Sequence, residues 1–209
     1  LLAVEYTPAL SGELDAQLEM LLAELAANDS LVVTVSQSAA GTAVIQNIVP
    51  DSPTLGLLPG RSVGLRQLGD CLSGQTACDA LTGKTLSGSL QQTLPDVALI
   101  IVLTGERVNL VDWLEQVALT SDIPHVAGVT QSLAPVAKPY LDTAQLEGMV
   151  SGLPETAVYQ QQILGQTSDA ALVRQLSAQT LAQLLAAILL VTGGLIFGIN
   201  HLLKRGGES

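Results

Sequence analysis

Ser36, Ser38, Thr104, Glu106, Thr130 and Ser132 close or follow apolar runs, in "LVVTVSQS", "VALIIVLTGE" and "PHVAGVTQS". Side chains at the ends of such runs are the ones a parallel sheet presents to a ligand. Hydroxyls there could hold a small ligand, and "SQSAAG" ahead of a helix could bind an anion on its backbone amides. The same residue types also cap helices, which is their commoner role. Glu5, at the end of the first run, and Glu106 could meet across neighbouring strand ends as an acid/base pair. These residues make the case for a hydrolase or small-ligand site.

Stronger catalytic signals are missing. The first turn reads "YTPALSGE", so the G-x-G-x-x-G of a dinucleotide site is absent. "TGKT" (82–85) has the end of a phosphate loop, but Cys78 stands where that loop needs its first glycine. No G-x-S-x-G occurs, and His125 lies within a strand-like run with no evident carboxylate partner, so a Ser-His-Asp triad lacks its base. No metal or cofactor is expected. The net charge of −11 repels phosphate backbones, which argues against a nucleic-acid partner.

Cys71 and Cys78 are the only cysteines, in "GDCLSGQTACDA". Their spacing is not that of a CxxC redox pair, and a zinc site would need further ligands nearby. An even count in a Gly/Ser/Thr-rich stretch reads as one local disulfide outside the cytoplasm; two thiols in a cytoplasmic loop are the alternative.

The elements that position these residues alternate. Strands are expected at 1–6, 31–36, 97–104, 124–130 and 146–152, with 55–60 a short strand or ordered loop. Helices are expected from Pro8 to about Ala27, over 41–49, 61–72, near 109–119, and over 132–142, where Pro139 interrupts or restarts the helix. In the first helix Leu14, Leu18, Leu21, Leu22 and Leu25 form one apolar stripe. Glu13, Asp15, Glu19 and Glu24 lie off its centre and read as a solvated face rather than a metal cluster. Residues 73–93 are the least regular. Strand–helix alternation with continuously apolar central strands predicts an α/β fold, a doubly wound, mostly parallel open sheet of Rossmann or flavodoxin type.

"LLAAILLVTGGLIFGINHLL" (184–203) carries no charge apart from the titratable His201. A helix of this length covers about 30 Å, the thickness of the hydrocarbon layer. Lys204 and Arg205 follow at once and belong in the cytoplasm by the positive-inside rule. Gly194 and Gly198 form a GxxxG, the spacing at which two helix backbones approach closely. Asn200 and His201 belong near the cytoplasmic interface. The chain opens on "LLAVEY" without an initiator Met, so a cleaved signal or further chain is expected upstream.

"YTPALSGELDAQLEMLLAEL", "SQSAAGTA", "LGLLPG", "DWLEQV" and "PYLDTAQLEGMVSGLPETAVY" together resemble an uncharacterised group of bacterial membrane-anchored α/β proteins. The resemblance implies one extracytoplasmic domain on a C-terminal anchor and carries no activity with it. The expected organisation is an extracytoplasmic α/β domain at 1–163, a helical linker at 164–180, a transmembrane helix at 181–203 and a cytoplasmic tail at 204–209. The expected location is the cytoplasmic membrane. The expected role is a non-enzymatic subunit or scaffold of a membrane or envelope complex, with the lipid bilayer and other membrane subunits as partners.

Overall fold

The computed structural model describes residues 1–78, 81, 90, 94–162, 173–174, 176–178 and 180–192. Six strands form one all-parallel sheet: β1 (Leu2–Glu5), β2 (Thr34–Ser36), β3 (Thr54–Leu57), β4 (Ile100–Thr104), β5 (His125–Val129) and β6 (Gly148–Ser151). Their spatial order is β3-β2-β1-β4-β5-β6, the order of Rossmann-type sheets, with the reversal between β1 and β4. The doubly wound expectation therefore holds, and of its two variants the Rossmann order is the one adopted.

Among the described residues, these helices cover the sheet: α1 (Ser11–Ala27), α2 (Ala39–Ile48), α3 (Ser62–Leu72), α4 (Arg107–Trp113), α5 (Ala134–Asp142) and α6 (Gly152–Gln162). Alternate strand residues serve opposite faces. Leu2, Val4, Ile101 and Leu103 pack with Leu14 and Leu18 of α1 and Val44 and Ile45 of α2. Ala3, Ile100 and Val102 point the other way, onto Leu65 and Leu68 of α3 and Trp113 of α4. Ala127 and Val129 extend that second layer to Leu110 and Leu114. With both faces covered, every residue of β1 and β4 is buried, which is why these runs are apolar without alternation.

Several boundaries move. β2 begins at Thr34, and Leu31 ahead of it is 65% exposed. Residues 97–99 lead from a 3-10 turn at Leu94–Asp96 into β4. The α5 helix runs through Pro139 unbroken. After Trp113, α4 widens into a π turn at Leu114–Ala118. The carboxylates of α1 are more than a solvated face: Glu13 accepts from Gln131 N at 2.7 Å, Asp15 from Tyr6 Oη at 2.7 Å, and Glu24 from Tyr159 Oη at 2.8 Å. Only the hydrophobic stripe of α1 is legible without knowing which strand ends and helices pass over its rim.

Cys71, at the end of α3, and Cys78 lie at disulfide distance, with Cα atoms 5.1 Å apart, and both are buried in the α3 layer. The chain divides into two compact units, Leu1–Thr167 and Ser168–Ser209. In the second, residues 180–192 are helical. Among the described residues no helix is long and apolar enough to cross a membrane. Residues 193–203, including Gly194, Gly198, Asn200 and His201, lie outside the described residues, as do most of 79–93 with "TGKT" and most of the expected linker.

Candidate functional site

The reversal of strand order leaves a crevice at the carboxyl ends of β1 and β4, where Rossmann-type sheets take their ligands. A cavity of about 100 Å³ occupies it, room for a few water molecules and far short of a dinucleotide. Glu5 sits at its base, 1% exposed. Being the last residue of β1, Glu5 is carried to the cavity by the strand ladder, paired with Thr104 of β4.

The Glu5 carboxylate is held from three sides. Gln37 N donates to both oxygens, at 2.9 and 3.1 Å. Trp113 Nε1 donates to Oε1 at 3.2 Å, and Ser36 Oγ to Oε2 at 3.4 Å. α2 can approach this closely because residue 41 is glycine: a Cβ there would collide with the Val4 carbonyl and Ser36 Oγ. Burial pushes the Glu5 pKa up to about 7, and nearby Glu106 adds to the rise; the bonds from Gln37, Trp113 and Ser36 oppose it. Glu5 therefore exchanges its proton near neutrality, as an acid/base group must.

The hydroxyls of Ser36, Ser38 and Thr104 also bond backbone groups. Ser36 Oγ accepts from Ser38 N at 3.1 Å, and Ser38 Oγ caps α2 by accepting from Gly41 N at 2.9 Å. Thr104 Oγ1 donates to the Glu5 carbonyl and accepts from Glu106 N, each at 3.1 Å. Thr130 and Ser132 lie 3.1 Å apart, hydroxyl to hydroxyl, at the end of β5 and off the cavity. Ser38 and Glu106 line the cavity itself. The amide of Gln37 that an outside anion would use is taken by the protein's own carboxylate.

The remaining wall carries no signal that the motifs above single out. Arg61 reaches the cavity from the turn before α3, and Asn109 and Asp112 from α4. Glu106, Asn109 and Asp112 are spaced by three residues, one face of a helix, and that periodicity is the signal that could have found them. Asn109 Nδ2 donates to the Glu5 carbonyl at 3.2 Å. Arg61 has φ +49° and ψ −125°, a conformation that side-chain-bearing residues rarely adopt.

His125 lies at the opposite, amino-terminal end of the strands, as the first residue of β5. It pairs with Ile100, four residues down the ladder from Thr104, so strand rise alone separates it from Glu5 by roughly 13 Å. Its Nδ1 meets the Ile123 carbonyl at 2.7 Å, and burial lowers its pKa. It is no catalytic partner for the strand-end serines. Among the described residues no group of three or more His, Cys, Asp or Glu is arranged to hold a metal. No protein-family model, curated protein or solved structure matches the chain.

Proposed function

We propose that this chain is a membrane-anchored, non-enzymatic α/β module of a bacterial membrane or envelope complex, with its globular unit outside the cytoplasmic membrane. The observation that carries the reading is the helical segment 180–192. It has no charged residue, and Leu181, Leu184, Leu185, Ile188, Leu189, Leu190 and Val191 are all exposed, Leu190 by 77%. Each such side chain gains about 1.5–3 kcal/mol on leaving water, so a helix apolar all round calls for lipid or other helices around it. The sequence continues to Leu203 with no Asp, Glu, Lys or Arg and then meets Lys204 and Arg205. That length suits a span, and the basic pair suits a cytoplasmic C terminus.

The globular unit supports the non-enzymatic half of the reading. The hydroxyls of Ser36, Ser38 and Thr104 at its strand ends are engaged with backbone groups. Gly194 and Gly198 supply a face on which the span would meet a neighbouring helix. The test is crosslinking and co-purification of full-length protein from membranes, comparing the native chain with Gly194→Ile and Gly198→Ile at equal expression. Loss of a partner in either variant supports the complex reading; unchanged association in both removes the span from it.

A second reading has its own observation. The cavity over Glu5 is polar and open to solvent, which a cleft filled by its own side chains would not be, and this favours a small-ligand-binding domain at the strand ends.

A further inference from the structure

The apolar stripe of α1 outruns its cover. Leu14 and Leu18 are fully buried, but Leu21, Leu22 and Leu25, one and two turns further on, are only partly so. Leu99 and Val126, on the sheet beneath, are partly exposed as well. A second cavity, of about 450 Å³, lies there, walled by Leu21 and Leu25 of α1 and by Leu99, Ile101, Val126 and Val150 of the sheet side. It shares no residue with the crevice over Glu5. The start of β6 leaves this space open: among the described residues a Cβ at Gly148 would meet only Val126 Cγ1, at 3.5 Å. Glycine in a strand often marks a place where something else approaches closely, and here β6 stays in register with β5 without a bulge. Glu24 is the one charged residue of the wall, and both of its oxygens accept from Tyr159 Oη at 2.8 Å, which ties α6 to α1 beside the cavity.

We propose that this cavity binds an aliphatic chain with an uncharged head, the chemistry of a medium-length alcohol or a neutral acyl lipid. The class follows from lining, size and charge. Water in such a space finds few polar partners, and an apolar chain that displaces it removes the aliphatic wall from solvent. A sugar would leave its hydroxyls unpaired against the same wall. The volume equals that of roughly fifteen water molecules and falls in the range of small-molecule sites. A free fatty acid or a phosphate head would meet the Glu24 carboxylate and a chain of net charge −11. The inference goes beyond both readings above: it concerns neither the strand-end crevice nor the anchor.

The chain has three tyrosines, and of these only Tyr159 lines the cavity. Fluorine NMR of protein carrying fluorotyrosine therefore reads the site against two internal references, with Tyr159→Phe assigning its resonance. The experiment titrates full-length protein in phospholipid nanodiscs with octanol, octanoate and glucose. The proposal expects a saturable shift of the Tyr159 resonance with octanol, none with octanoate or glucose, and no movement of Tyr6 or Tyr140. Gly148→Leu places a side chain where there is room for one, so it should keep the Tyr6 and Tyr140 resonances while weakening octanol about tenfold or more. Glu24→Gln, which still accepts from Tyr159, should admit octanoate. Absence of a saturable Tyr159 shift with octanol overturns the proposal. Octanol binding unchanged in Gly148→Leu overturns the assigned cavity, and native protein that binds octanoate as tightly as octanol overturns the uncharged head.

Discussion

Trp113 Nε1 lies 3.2 Å from Glu5 Oε1, so the only indole of the chain donates to the most deeply buried carboxylate among the described residues. The contact ties the end of β1 to α4 across the strand reversal. It also makes the protonation of Glu5 observable. Tryptophan fluorescence should titrate with a midpoint near pH 7, the value to which burial pushes Glu5, and the transition should vanish in Glu5→Gln. A flat profile between pH 5 and pH 8 would show a carboxylate of ordinary acidity.

The same shift has a sign for stability. The folded pKa of Glu5 is about 7 against a reference of 4.5, so between those values the folded state binds more protons than the unfolded one. Stability contributed by this group is therefore present below pH 4.5 and lost as pH rises toward 7, by on the order of 3 kcal/mol. Chemical denaturation of the native chain and Glu5→Gln across that window should show the difference moving in the variant's favour with rising pH. Parallel curves would contradict the assignment.

Backbone strain at Arg61 predicts an inversion of the usual glycine penalty. At ordinary φ, alanine exceeds glycine in stability by about 0.4–1 kcal/mol. At φ +49° glycine is the unstrained residue, and Arg61→Gly should exceed Arg61→Ala by about 1 kcal/mol. Equal or reversed stabilities would place Arg61 in an ordinary conformation.

Two helical glycines should respond in opposite directions to the same change. A methyl group added at Gly12 would meet nothing within 4 Å, so Gly12→Ala should stabilise α1 by about 0.5–1 kcal/mol. Gly41→Ala forces a methyl onto the Val4 carbonyl and Ser36 Oγ and should cost about 1–3 kcal/mol, the usual range for overpacking. Because the bond from Gln37 at the entry of α2 holds the Glu5 pKa down, that variant should also raise the Glu5 midpoint or remove it. Urea melts and the fluorescence titration read the two effects separately.

The cysteine pair yields a covalent prediction. Cys71 and Cys78 are within bonding reach, and the bond closes a short loop, worth about 2–3 kcal/mol in the chain-entropy model. Intact mass after alkylation should show no modified cysteine without reductant and two with it. Two alkylated cysteines without reductant would show free thiols and weaken the extracytoplasmic placement.

How much of the fold is legible follows from what local pattern encodes. β4 is plain because a strand buried on both faces must be apolar throughout, as Ile100 to Leu103 are. The helices at 61–72 and 132–142 survive Gly64, Gly69 and Pro139, where tertiary packing overrides propensity. Strand order is not legible, since nothing in "LLAVEY" says that its neighbours are β2 and β4. For the same reason Glu5 can be placed at a strand end, but its contact with Trp113, 108 residues away, cannot. Arg61 gives no sign of its place because that depends on a turn with unusual dihedrals. By helical spacing Asp112 faces outward, and the outward face at that point is the rim of the cavity.

The central claim, a globular unit held outside the membrane by the helix that includes residues 180–192, is tested most directly by protease added to intact spheroplasts. The account predicts that the protein sediments with the membranes and that protease removes residues before 180 without lysis, leaving a short C-terminal fragment. Full protection until the cells are lysed, or recovery of the intact chain in the soluble fraction, would contradict it.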